Sequence, residues 1–141
     1  MILLVEDHPD SADVFTRMLK TRGQYVLAVR TAADALRVLE SVLPHVLVLD
    51  LGLPDKDGLE LLRQIRTEPQ FAMIRVVIFS ADPTLKSLQQ AKALGVEHFF
   101  VKGTAKWETV CDAVVEMISV PWAPGLSPLS SGDESNSAGH A

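Results

Sequence analysis

The stretch VLVLDLGLPDKDG, Val46 to Gly58, decides how this chain folds. Its opening Val/Leu run shows no polar alternation, the pattern of a strand buried on both faces, and such strands belong to parallel sheets covered by helices. The run ends in a carboxylate, Asp50, and a Gly/Pro-rich turn follows at once. Open parallel sheets bind their ligands at the carboxyl ends of the strands, so this charge stands where chemistry would be done.

The same pattern repeats on both sides of that stretch. Upstream, residues 2 to 6 and 25 to 29 read as strands. The first is followed by a segment with Val14/Met18 and Phe15/Leu19 at i,i+4 spacing and Gly23 as a stop. The second precedes a helix over residues 31 to 43, capped by Thr31 and Asp34, with Ala35, Leu36, Leu39 and Val42 or Leu43 inward. Downstream, Asp57 and Glu60 have capping-box spacing for a helix with Leu59, Leu62 and Ile65. Residues 74 to 80 form a fourth strand, and a helix follows with Asp82 as cap, Pro83 at its first position and Gly95 as its stop. Residues 97 to 102 are the fifth strand, and 104 to 118 a last helix with Trp107, Val110, Cys111, Val114 and Ile118 on one face.

Five strand–helix units in strict alternation predict a doubly wound α/β fold, a five-stranded parallel sheet in the order 2-1-3-4-5 with five helices on its two faces. The domain spans residues 1 to 119. From 120 to 141 Pro, Gly and Ser fill 11 of 22 places, too polar and broken to bury a core, and this segment reads as a disordered tail or a linker. Trp122 there either docks on the last helix or serves as a hook for a partner.

The 141 residues suffice for one core without staples, and 48% hydrophobic with 22% charged residues is ordinary globular usage. No apolar run approaches the roughly 20 residues that span a bilayer, and "MILLVED" lacks the leader and cleavage site of a signal peptide, so a cytoplasmic protein without membrane contact is expected. Net charge is −5 and the 13 basic residues are scattered, which argues against direct nucleic-acid binding. The single Cys111 cannot form an intramolecular disulfide and reads as a small core residue.

With parallel strands, the strand-end residues share one edge: Glu6 and Asp7 after the first, Asp50 after the third, Ser80 after the fourth and Lys102 after the fifth. The first and third strands are neighbours in the expected order, so Asp7 and Asp50 face each other across a crevice. Converging carboxylates repel, and a hard divalent cation with oxygen ligands, Mg²⁺, relieves the repulsion and leaves positions for a phosphoryl group. Lys102 supplies a positive charge and Ser80 a hydroxyl for the other phosphoryl oxygens. The set reads as phosphoryl transfer, with Asp50 as the nucleophile. Each residue alone has an ordinary reading as a cap, turn or solvated strand end, and only their joint placement argues a site.

These segments resemble the receiver domain of two-component response regulators (CheY-like). LLVEDHPD is similar to that family's opening strand and acidic pair, VLVLDLGLPDKDGLELLRQIR to its phosphoacceptor segment, VVIFSAD to its hydroxyl-bearing fourth strand and HFFVKG to its lysine-bearing fifth. The resemblance implies that Asp50 is the phosphorylated aspartate, Asp7 a direct Mg²⁺ ligand and Glu6 an acid acting mainly through a metal-bound water. It also implies that Gly52 gives its backbone carbonyl to the metal, Ser80 and Phe99 form the switch pair, and Lys102 binds the phosphoryl group. A histidine kinase or phosphotransfer protein would be the donor, and a downstream protein would be bound differently in the two states. A dimer through the fourth and fifth helices stays open. Such a chain is a signalling phosphoacceptor and not an enzyme beyond limited autophosphorylation and autodephosphorylation.

Two residues depart from the family pattern. Gly103 follows Lys102 where Pro, often cis, is usual; a non-proline cis bond costs about 3 kcal/mol, so a trans bond and an altered loop are expected. Phe99 replaces the commoner Tyr; Gly52 and Asp82 stand at positions that in this family tune how long the phosphoryl group survives, Gly52 offering no side chain to orient an attacking water and Asp82 a carboxylate. His8 beside the acidic pair reads as an ordinary loop residue because Mg²⁺ prefers oxygen, and His45 and His98 begin strands at the far edge.

Three other readings compete. A haloacid-dehalogenase-type phosphatase wants a second Asp where this chain has Gly52, and a flavodoxin-like binder wants a phosphate cradle where EDHPD stands. The third is a phosphorylation-independent, receiver-like scaffold for protein interactions.

Overall fold

The computed structural model describes residues 1–81 and 84–119. Five strands, β1 (Ile2–Val5), β2 (Val26–Val29), β3 (Val46–Leu49), β4 (Arg75–Ser80) and β5 (His98–Val101), alternate with helices α1 (Pro9–Thr21), α2 (Ala32–Leu39), α3 (Gly58–Arg66), α4 (Leu85–Ala93) and α5 (Trp107–Ser119). All strand pairs are parallel and the order is β2-β1-β3-β4-β5, as the alternation predicts.

Strand alternation sends side chains to two cores. Leu3, Val5, Leu47, Leu49, Val76 and Ile78 pack under α2, α3 and α4; Ile2, Leu4, Val46, Val48, Val77 and Phe79 pack under α1 and α5. The second core holds a cluster of rings, with Phe15 edge-on to both Phe79 and Trp107 at centroid distances of 5.0 and 4.8 Å. Cys111 is fully buried there, and burial raises its thiol pKa to about 11, which makes it the inert packing residue expected.

Several local expectations need correcting. Helix α2 stops at Leu39, so Val42 and Leu43 are exposed in the turn before Pro44 and not inward-facing. Val14 is exposed while Phe15 and Leu19 carry the buried face of α1. Asp57 and Glu60 form no capping box; Asp57 instead accepts a hydrogen bond from the Leu59 N–H at 2.9 Å. Helix α4 begins at Leu85 under a Thr84/Ser87 capping box, two residues beyond the predicted start at Pro83. Asp82, Pro83 and the segment 120–141, Trp122 included, lie outside the described residues. Helix α5 begins at Trp107 and buries Met117 in addition to Val110, Cys111 and Val114. A short 3-10 turn at Pro69–Phe71 precedes β4 without having been predicted.

Two contacts between distant segments hold the layers. At the amino edge of the sheet Arg75 grips the buried Glu97 through two parallel bonds of 2.6 Å, and it also donates to the Met117 carbonyl near the end of α5. At the carboxyl edge Asp55, in the loop after β3, caps α2 from outside: its two carboxylate oxygens accept from the Ala32 and Ala33 N–H groups at 2.9 and 3.0 Å.

Those backbone hydrogen bonds hold the Asp55 carboxyl below its ordinary pKa of 3.8. A depressed folded-state pKa adds stability above the unfolded value, and the contribution disappears as pH falls through the folded value. Asp55→Ala is therefore expected to cost about 1 kcal/mol at neutral pH, the usual worth of a helix cap. In urea unfolding the gap to the wild type should close as pH is lowered below about 4; a gap that persists into acid would mean the carboxylate is not the cap.

Candidate functional site

The site forms where β1 and β3 end side by side. Leu49 stands opposite Val5 on one flank and Ile78 on the other, and the Asp50 N–H continues the ladder by donating to the Val5 carbonyl at 3.0 Å. Asp50 is thus placed beside Glu6 by backbone pairing alone. Close packing of the next element holds the turn beneath it. A Cβ on Gly58 would come within 2.6 Å of the Asp50 carbonyl oxygen and 2.7 Å of the Leu51 Cα, so only glycine lets α3 start there. Its N–H donates to the Leu51 carbonyl at 2.9 Å.

Glu6, Asp50 and Ser80 are buried, three of the four buried polar residues among those described. Lys102 closes the group, its Nζ lying 2.8 Å from Glu6 Oε1 and 3.2 Å from Asp50 Oδ2. Burial, the largest single influence, pulls the lysine pKa down, but the hydrogen bonds and charges of Glu6 and Asp50 outweigh it and leave the pKa raised. Its ammonium also sits 5.6 Å above the Phe79 ring. The other Asp50 oxygen, Oδ1, accepts from the Gly52 N–H at 3.1 Å, so both oxygens are held. Among the described residues no peptide bond is cis, as expected for Lys102–Gly103, and Gly103 has φ +84°, a backbone that proline's ring forbids. The loop is therefore altered from the family pattern, yet Lys102 still reaches both carboxylates.

Ser80 ends β4, buried, with its carbonyl accepting from the Lys102 N–H at 2.8 Å. By strand alternation it shares the face of Val76 and Ile78, and Phe99, opposite Ile78 on β5, packs against that same core. The two predicted switch residues therefore lie on one face, the one covered by α3 and α4. His8, read as an ordinary loop residue, stands against the acidic pair. Its Nδ1 is 3.2 Å from Glu6 Oε2 and 3.3 Å from Asp7 Oδ1, and its backbone N–H also donates to Glu6 Oε2, at 3.1 Å. Arg30, at the end of β2, was missed; its guanidinium reaches the Asp7 carbonyl at 3.4 Å and brings a second cation to the rim.

The donor set suits a divalent cation. Glu6, Asp7, His8 and Asp50 each offer an atom, all within 4.8 Å of one another. Asp7 Oδ1 is buried and, among the described residues, has no hydrogen-bond partner, with only the His8 imidazole 3.3 Å away; a cation would satisfy it.

The chain belongs to the response regulator receiver domain family, whose pattern matches residues 2–114. A segment of the sensor protein TorS of Escherichia coli is 38% identical over 90 residues; the match takes in 63% of this chain and 10% of TorS. The Mn²⁺-bound form of the response regulator Rcp1 superposes with a TM-score of 0.77 at 25% identity, covering 87% of this chain and 97% of Rcp1. The phosphorylated cyanobacterial phytochrome response regulator RcpA does so at 0.74 and 27% identity, covering 87% and 96%. The chain is thus a receiver domain of the two-component type, with the CheY-like fold. Among the described residues no helix is long and apolar enough to cross a membrane.

Proposed function

We propose that residues 1–119 are the phosphoacceptor receiver of a His–Asp phosphorelay, working in the cytoplasm, with 120–141 as tail or linker. One observation carries this reading: Asp50, buried at the end of β3, has one oxygen on the Gly52 N–H and the other within reach of the Lys102 ammonium. In the reaction an Asp50 oxygen attacks phosphorus, the P–O bond forms as the P–N bond to a donor histidine breaks, and the electron pair leaves on the imidazole nitrogen. Lys102 stays protonated and moves its charge to the phosphoryl oxygens, and the Ser80 hydroxyl donates to another. Mg²⁺, held by Asp7, Asp50, the Gly52 carbonyl and, through water, Glu6, would neutralise charge on the attacking carboxylate and the transferred group. Recruitment of Ser80 lets Phe99 on the same face repack, which shifts the population between two arrangements of α4 and α5.

The donor is a histidine kinase or a phosphotransfer protein, a reading supported by the similarity to a segment of a sensor protein. The exposed Leu85 and Leu88 on α4 give a downstream protein or a second copy an apolar strip to bind. The alternative, a scaffold indifferent to phosphorylation, draws on Gly103 in place of proline, but the 3.2 Å approach of Lys102 to Asp50 disfavours it. Intact-mass spectrometry after incubation with acetyl phosphate tests the reading. A single phosphoryl increment with Mg²⁺, lost in EDTA, is expected; no increment under either condition would leave the scaffold.

A further inference from the structure

We infer that His8 is itself a metal ligand, and that it widens the acidic pocket's preference for a first-row transition ion such as Zn²⁺ over Mg²⁺. The inference rests on the proposed cation site and adds a residue and a selectivity to it.

The spacing is the first argument. For metal–ligand bonds of about 2.1 Å, adjacent ligands of one octahedral ion stand about 3.0 Å apart and opposite ligands about 4.2 Å. His8 Nδ1 lies 3.2 Å from Glu6 Oε2 and 3.3 Å from Asp7 Oδ1, the separation of neighbours on one ion, and the four donors with Asp50 all fall within 4.8 Å. The second argument is the unsatisfied oxygen. Asp7 Oδ1 is buried without a hydrogen bond, and this imidazole nitrogen lies 3.3 Å from it. Backbone geometry reinforces the placement, because His8 is the N-cap of α1 in extended conformation and its N–H is tied to Glu6. The ring is thereby tethered beside the carboxylates.

Selectivity follows from ligand chemistry. Mg²⁺ takes oxygen and keeps its waters, so an imidazole adds little to its binding; the later first-row ions bind imidazole well and follow the Irving–Williams order. A pocket of carboxylates already ranks the ions in this order, and the imidazole widens the gap.

The experiment is calorimetric titration of the chelator-treated 141-residue chain with MgCl₂ and with ZnCl₂, on wild type, His8→Ala and Asp50→Asn, with circular dichroism as the check on folding. The expected result is that His8→Ala weakens Zn²⁺ binding about tenfold or more and Mg²⁺ binding by less than about twofold. In ¹⁵N spectra of the wild type, one equivalent of Zn²⁺ should move the His8 ring nitrogen. An unchanged Zn²⁺/Mg²⁺ ratio in His8→Ala, with both ions still weakened by Asp50→Asn, would overturn this inference and leave the phosphoacceptor site intact. Tighter Mg²⁺ binding in His8→Ala would overturn it too, since His8 would then be a cation competing for the carboxylates. If neither ion bound the wild type, the proposed cation site would fall together with it.

Discussion

Asp50→Asn is expected to take up no phosphoryl group from acetyl phosphate under conditions where the wild type gains one. The amide has nearly the carboxylate's shape but no nucleophilic oxygen, so the loss is complete. Folding should survive. Asp50 is one of two buried acids facing a single lysine, and Lys102 keeps its 2.8 Å partner in Glu6 when Asp50 is neutralised. Removing one of several crowded negative charges relieves repulsion as it removes attraction, so a stability change within about 1 kcal/mol is expected from urea unfolding. Labelling of Asp50→Asn at the wild-type level would move the acceptor to another carboxylate of the cluster.

The largest effect on stability belongs to the opposite edge of the sheet. Glu97→Ala should cost about 3–5 kcal/mol, because it removes the carboxylate that two guanidinium nitrogens of the largely buried Arg75 grip beneath α5. Glu97 is 4% exposed and its partner 14%, so water replaces the lost partner poorly. Replacing both partners by apolar residues of similar volume, Arg75→Met with Glu97→Leu, should recover much of the loss. Denaturant midpoints for the two singles and the double decide it. A single substitution costing less than about 1 kcal/mol would mean that the pair does not tie the sheet to the last helix.

The sheet order and the strand-end residues were legible because both depend on short-range pattern: uninterrupted apolar runs, each closed by a polar residue, in strict alternation with helical periods. Glu6, Asp50, Ser80 and Lys102 are where that pattern puts them. Helix ends were less legible, since competing signals stand within two or three residues of one another. Asp82–Pro83 and Thr84/Ser87 are both good starts, and the reciprocal hydroxyl bonds of the second define the observed one. Val42 and Leu43 continue the helical period past the helix because an apolar pair before a proline looks the same in a turn. Illegible altogether were partners separated by 22 or 23 residues, Arg75 with Glu97 and Asp55 with Ala32, for which no local spacing exists. His8 read as an ordinary loop residue because Mg²⁺ prefers oxygen, a preference that describes the ion expected and says nothing about where the imidazole points.

The ring cluster under the site places an indole two contacts from the Lys102 ammonium. Trp107 lies 5.3 Å from Phe79, and the other side of that contact is the ring over which the Lys102 ammonium stands. A displacement of Lys102 from the carboxylates changes the field at Phe79 one ring away from the indole. Trp107 emission, isolated from that of Trp122 by Trp122→Phe, is therefore expected to follow the charge state at the strand ends in real time and without a partner protein.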